Sequence, residues 1–152
     1  MRIRTAVVLL ALVAASCQPQ PPAPKSDLPA AQALVDAAVA DHTDLVRLTI
    51  HAVPTSQTQS RIIACNLAEK VGQASDPEDL EAIKTGKMTV LKEGDNLDVT
   101  APILDKGGKA IAAAGITLRI PIGATEDEVL EEAKAIAAAL TAAVQNAPAP
   151  LW

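Results

Sequence analysis

Seven polar residues recur at every second position in three segments of the chain, and together they could form one binding face. Alternation of polar and apolar residues with a period of two is typical of a half-buried strand, whose successive side chains point to opposite sides. Because arginine pairs with carboxylates through two parallel hydrogen bonds, we predict a site for a small organic anion where these faces coincide. The residues are Arg47, Thr49, His51, Asp98, Thr100, Thr117 and Arg119.

The same alternation has a second interpretation, in which these side chains simply face solvent. An antiparallel sheet commonly packs one face on the core and leaves the other face to water. A lone histidine in a strand, such as His51, is more often a surface or packing residue than a ligand or a catalytic group.

Other residues with reactive or metal-binding side chains point to structural roles. Asp41, His42 and Asp44 could bind a metal, but three such residues in one turn more often mark the end of a helix, and we expect no metal. The remaining acidic cluster is interpreted as helix capping and a solvated helix face. Its members are Asp76, Glu78, Asp79 and Glu81.

The sequence carries no recognisable catalytic motif. GxSxG, HExxH, CxxC and a glycine-rich phosphate loop are all absent. Cys65 lies in an apolar stretch and is expected to be a buried, inert thiol rather than a reactive one. We therefore expect a protein without enzymatic activity and without a cofactor.

The first 27 residues look like a targeting signal followed by a tether. Arg2 and Arg4 precede ten uncharged residues, 6–15, which is the length of a signal-peptide core and too short to span a membrane. The small residues that follow lead directly into Cys17, which resembles a bacterial lipobox. The resemblance implies a lipoprotein signal peptide over 1–16 and lipid on Cys17; an ordinary signal peptide with an incidental cysteine is the alternative.

The segment 17–27 is rich in proline, which favours an extended, stiff tether after the acylated cysteine. This predicts attachment to a membrane in the bacterial cell envelope, facing the periplasm. Gln18 directly after the cysteine favours the outer membrane over the inner one.

Composition excludes several classes of partner. The chain has 13 basic and 18 acidic residues, a net charge of −5, and no basic stripe, which argues against nucleic acid. It has no Phe and no Tyr, and its single Trp is Trp152, so the core must be built from aliphatic residues.

Periodicity and turn signals predict an α+β domain over 28–146, followed by a tail over 147–152. Proline in the first turn indicates a first helix over 28–41, and a proline and a closing glycine bracket a short helix over 77–84. A capping box of Thr125 and Glu128 opens a closing helix that runs to about Val144. Five antiparallel strands are expected, with Val46 on the core side of the first; they are 45–54, 61–66, 88–93, 97–104 and 110–120.

Four stretches of this domain resemble the single Cache domain, a PAS-like extracytoplasmic sensor module. The resemblance implies a curved five-stranded antiparallel sheet with a long N-terminal helix, an inserted short helix and a small ligand held under that helix. The aromatic residues with which amino-acid-binding Cache domains hold their ligand have no counterpart here. The stretches are RIIACN, SDPEDLEAIKTGK, EGDNLDVTAPILDKGGKAI and AAAGITLRI.

The sequence thus predicts a lipid-anchored small-molecule-binding or sensor module without an output domain of its own. Its state would pass to a membrane sensor or transporter partner, and its closing helix could support a homodimer. The alternative is a structural or protein-interaction lipoprotein that uses the same fold without a small ligand.

Overall fold

The computed structural model describes residues 28–152, so the predicted signal peptide, the lipidation site Cys17 and the tether lie outside the described residues. The predicted α+β fold with five antiparallel strands is confirmed. The elements are α1 (Pro29–Asp41), β1 (Leu45–Ala52), β2 (Arg61–Cys65), a 3-10 turn (Ala68–Lys70), α2 (Pro77–Thr85), β3 (Thr89–Glu93), β4 (Asn96–Leu104), β5 (Ala110–Arg119) and α3 (Glu126–Asn146). Within this range, none of the helices combines the length and the apolar character that crossing a membrane requires.

The strands form one open sheet in the order β2-β1-β5-β4-β3, and each neighbouring pair is antiparallel. The last three strands form the expected meander, in which β5 returns to pair with β1. This order places the polar residues of β1 and β4 on either side of β5.

One face of the sheet packs on α1 and α3 and contains the hydrophobic core. Burial alternates along β4, so that every second residue is buried and the residues between them are only partly buried. From α3, Val129, Ala133, Ile136 and Leu140 pack against the sheet, as their helical spacing predicts. The polar residues of the strands therefore lie on the opposite face of the sheet.

The expectation for Val46 is wrong. The pairing of β1 with β5 shifts between Leu45 and Arg47, so that Val46 is the extra residue of a β-bulge. Val46 is 38% exposed, whereas Leu45 and Leu48 on either side of the bulge are buried in the core. The bulge also sets the face on which Arg47 lies, because a one-residue shift reverses the alternation of side chains.

The short helix α2 lies against the opposite face of the sheet, over β4 and β5. Asp76 and Asp79 form a capping box at its start, Pro77 occupies its first turn, and Gly86 ends it in the left-handed conformation. Ala82 of this helix is buried. The start of α2 therefore sits close to the sheet, beside the polar ends of β1 and β4.

Candidate functional site

A pocket of about 360 Å³ lies between the N-terminal turn of α2 and the polar face of the sheet. Its walls come from β1, β3 and β4, from Ile62 of β2 and Gly115 of β5, and from α2 with the segment that precedes it. Five of the seven predicted site residues line it. These five are Arg47, Thr49, His51, Asp98 and Thr100.

The other two predicted residues lie outside the pocket lining. Thr117 is buried beneath it and donates a hydrogen bond of 3.2 Å from its hydroxyl to Oδ1 of Asp98. Arg119 is exposed at the end of β5 and is not part of the pocket wall. The strand faces coincide as predicted, but the two arginines do not converge on one site.

Arg47 is engaged by an ion pair that crosses the sheet. Its terminal Nη2 atom lies 3.1 Å from Oδ2 of Asp98, and both residues oppose Thr117 in the register of β5. Asp98 thus accepts from Arg47 and Thr117 together. The positive charge of Arg47 is balanced inside the wall of the pocket.

His51 lies at the base of the pocket and is buried. Its Nε2 atom is 2.8 Å from Oγ1 of Thr49, which is also 3.3 Å from the carbonyl oxygen of Gly115. A Cβ atom at position 115 would lie 2.5 Å from that hydroxyl oxygen, closer than real Cβ contacts. Glycine is therefore required in this strand interior, where it would otherwise weaken the strand, because the Thr49 side chain occupies its space.

The opposite ring nitrogen of His51 joins the sheet to α2. Nδ1 lies 3.0 Å from Oδ2 of Asp79 and 3.1 Å from Oγ of Ser75. The Ser75 hydroxyl is in turn 2.7 Å from that of Ser60. One polar network thus connects β1, the start of β2 and the beginning of α2.

The interpretation of Asp79 as part of a solvated helix face is wrong. The residue is 5% exposed, and its Oδ2 atom accepts from the backbone N–H of Asp76 at 2.9 Å as well as contacting His51. The sequence signal that could have located it is its spacing: Asp79 precedes Ala82 by three positions, so both lie on the face that α2 turns to the sheet.

Burial shifts the two ionisable groups of this contact in opposite directions. It lowers the pKa of His51 to about 4, an effect that Asp76 opposes and Arg47 reinforces. The pKa of Asp79 is raised to about 6, chiefly by burial and also by the carboxylates of Asp76, Glu78 and Asp98, while the hydrogen bond from the Asp76 backbone opposes the rise. At pH 7 His51 is neutral and Asp79 is ionised, so we assign the ring proton to Nδ1, from which it is donated to Asp79.

The remaining candidates have structural positions. His42, at the end of α1, is held by Glu132 of α3 at 2.9 Å between Nδ1 and Oε1. In the described range 28–152, no group of three or more His, Cys, Asp and Glu is placed to hold a metal ion. Cys65 is buried as predicted, and burial raises the pKa of its thiol.

Comparison with solved structures relates the fold to that of GAF domains. The GAF domain region of a membrane protein from Geobacter sulfurreducens PCA superposes with a TM-score of 0.52 at 15% identity, over 74% of this chain and 89% of that one. A GAF domain from A. aeolicus gives 0.55 at 12% identity, over 75% and 81%. A GAF sensor protein from Burkholderia vietnamiensis gives 0.51 at 12% identity, over 79% and 78%.

No protein-family model matches the sequence, and no curated protein matches it. The likeness is therefore one of fold, and the fold is an α+β arrangement of GAF and PAS type. Its finer resemblance to a Cache domain stays a prediction.

Proposed function

We propose that this chain is a small-molecule-binding sensor module whose ligand occupies the pocket between α2 and the sheet. The observation that carries the proposal is the pocket of about 360 Å³ with a buried polar network at its base. That volume falls at the small end of ligand sites, which range from roughly 300 to 1,000 Å³. A few fixed polar groups at the base of a concave site are what orients a small ligand.

The site is proposed to bind its ligand without transforming it. The polar groups at its base are already paired with one another, as the contacts among Thr49, His51 and Asp79 illustrate. Paired groups of this kind hold a wall in one shape and provide fixed positions for a ligand to contact. The fold is supported by the comparison with GAF sensor structures, while sensing itself belongs to the proposal.

A small organic anion was the ligand expected from the strand residues. Within the lining, Arg47 and Lys70 are the side chains that could contact its negative group. Because Arg119 is not part of the wall, the expected clamp of two arginines is reduced to one arginine that already contacts Asp98. An anion therefore stays a prediction for this pocket.

The module is further proposed to be held in the bacterial cell envelope by lipid on Cys17, facing the periplasm. The support is the sequence pattern of residues 1–17 and the proline-rich segment behind it. A lipid anchor positions a domain at a membrane, so the bound state would reach a membrane sensor or transporter partner by lateral contact. Metabolic labelling with radioactive palmitate tests the anchor, and labelling that persists in Cys17→Ser would contradict it.

A thermal-shift screen tests binding. The full chain, purified in detergent, is heated with a broad panel of organic acids, amino acids, amines and sugars. A ligand that binds only the folded state raises the unfolding temperature by an amount set by its concentration relative to Kd. A flat result across the panel would favour the alternative of an interaction or structural protein.

Two variants of one strand show whether a hit occupies this pocket. Thr89 of β3 lines the pocket, whereas its neighbour Val90 points to the other side of the sheet, opposite Val99 of β4. Both are exposed, so a tryptophan at either position should be tolerated by the fold. Thr89→Trp is expected to abolish the shift and Val90→Trp to preserve it.

A further inference from the structure

The wall of the pocket carries more negative than positive groups, and the negative groups come from three separate elements. Among the lining residues that the structure describes, five are acidic and two, Arg47 and Lys70, are basic. Such an excess inside a concave, partly water-excluded site focuses a negative potential. The five are Asp76, Glu78, Asp79, Glu93 and Asp98.

The two positive groups leave most of this charge uncompensated. Arg47 is paired with Asp98, so that these two residues cancel each other. His51 adds no positive charge at pH 7, because burial holds its pKa at about 4. Lys70 is then the one remaining basic residue of the described lining, against the four carboxylates of Asp76, Glu78, Asp79 and Glu93.

The ion pair between Arg47 and Asp98 also weakens the case for an anionic ligand. A carboxylate ligand would have to displace Asp98 from Arg47 or bind beside it, at the cost of bringing like charges together. A cation meets the opposite situation, since Glu78 of α2 and Glu93 of β3 are exposed and line the pocket, and their carboxylate oxygens can accept N–H donors.

We infer that the ligand of this pocket carries a protonated amine or a guanidinium group, which the carboxylates of Glu78 and Glu93 receive. The inference rests on the proposed function and specifies its ligand class. A cation with N–H donors is favoured over a quaternary ammonium ion. Quaternary ammonium ions are recognised by cages of Phe, Tyr and Trp; the described lining holds none of these, and the chain's single Trp lies in a different pocket.

Four probes of the same carbon length separate charge from shape. They are 1,4-diaminobutane, its permethylated bis-quaternary analogue, 1,4-butanediol and succinate, each titrated calorimetrically into the full chain in detergent. We expect the diamine to bind most tightly, the quaternary analogue at least about tenfold more weakly, and the diol and succinate without measurable heat. Affinity for the diamine should also fall as salt is added.

The outcomes distinguish this inference from the proposed function. Succinate or the diol binding more tightly than the diamine, with the binding lost in Thr89→Trp, would overturn the amine while upholding the pocket as a ligand site. Equal binding of the diamine in wild type and Thr89→Trp would place it outside the pocket and also overturn the inference. A flat response to these probes and to the broad panel would overturn both.

Two single substitutions test the named carboxylates, and a third serves as their control. Glu78→Gln and Glu93→Gln remove one negative charge each from exposed positions that line the pocket. Each is expected to weaken diamine binding by at least about fivefold, since a hydrogen bond to a charged group contributes more than a neutral one. Glu81→Gln is the matched control on α2, exposed and outside the lining, and should change affinity less than twofold. Equal effects of all three would indicate attraction to the acidic surface in general and contradict the site.

Discussion

Asp79 of α2 and His51 of β1 are in direct contact, with 3.0 Å between Oδ2 and Nδ1, and both side chains are buried in the wall of the pocket. Since α2 lies over β4 and β5, the contact also ties this helix to β1, on the far side of β5 from β4. Because Asp79 also accepts the backbone N–H of Asp76, a single carboxylate both caps α2 and fixes its position on the sheet.

The double role of Asp79 predicts a large loss of stability when its side chain is removed. Asp79→Ala deletes the capping acceptor and leaves the Nδ1–H group of His51 with Ser75 as its neighbour. Loss of a cap and of a buried acceptor together should lower the free energy of unfolding by about 2–4 kcal/mol. Urea unfolding measures the change.

Glu78→Ala provides the control in the same helical turn, because Glu78 is exposed. Its effect should stay within about 0.5 kcal/mol, as is usual for surface positions. A smaller loss for Asp79→Ala than for Glu78→Ala would contradict the role assigned to the buried carboxylate.

The same pair predicts opposite pH dependences in two variants. Asp79 has a folded pKa of about 6, above its ordinary value of 3.8, so the folded state binds more protons between these values and stability falls as pH rises. His51 has a folded pKa of about 4, below 6.5, so the unfolded state binds more protons there and stability rises with pH. The two contributions oppose each other between pH 4 and 6.

In each variant, the pH dependence of the free energy of unfolding should be set by the residue that remains, without the opposing contribution of the one removed. Relative to wild type, His51→Gln is expected to become less stable as pH rises from 4 to 6, and Asp79→Asn more stable, each by about 1–3 kcal/mol. Urea midpoints at half-unit pH intervals measure both slopes. Slopes of the same sign in the two variants would refute the assignment.

Sequence patterns could predict the elements of this fold because each pattern depends on neighbours in the chain. The proline and glycine that bracket α2, and the capping box of Thr125 and Glu128 that begins α3, are local signals, and the structure contains them as expected. The alternation in β1 likewise placed Arg47 and His51 on one face, and in the structure that face coincides with the one on which Asp98 of β4 lies.

What the sequence could not supply was the approach of one element to another. Val46 leaves the core because of a bulge against β5, which is a property of the pairing and has no signal in the strand itself. Asp79 is buried because α2 docks on the sheet at its N-terminal turn. Arg119 follows the alternation along β5, but it is the last residue of the strand and does not line the pocket.

The bulge itself predicts a contrast between neighbouring apolar residues of β1. Val46→Thr should change the free energy of unfolding by less than about 0.5 kcal/mol, because the side chain is already exposed. Leu48→Ala should cost about 2–5 kcal/mol, since Leu48 is fully buried. Chemical denaturation of both variants measures the difference. Equal losses of stability would indicate that Val46 is a core residue.

Gly115 and Thr49 should be energetically coupled, because a methyl group at 115 would collide with the Thr49 hydroxyl. Gly115→Ala alone is expected to destabilise by about 1–3 kcal/mol, as overpacking does. Thr49→Ala removes the colliding oxygen, so the double variant should lose less stability than the sum of the single losses. Strict additivity in the double-mutant cycle would show that the methyl group is accommodated in another way.

The two cysteines of the chain allow the proposed anchor and the buried thiol to be measured in one experiment. Cys65 is buried and its thiol pKa is raised, so it should react with a disulfide reagent far more slowly in the folded protein than in denaturant. When protein isolated from bacterial membranes is denatured in guanidinium chloride, lipid on Cys17 predicts one reactive thiol per chain. Two reactive thiols would exclude acylation of Cys17, and Cys65→Ser should then leave a single thiol at position 17 instead of none.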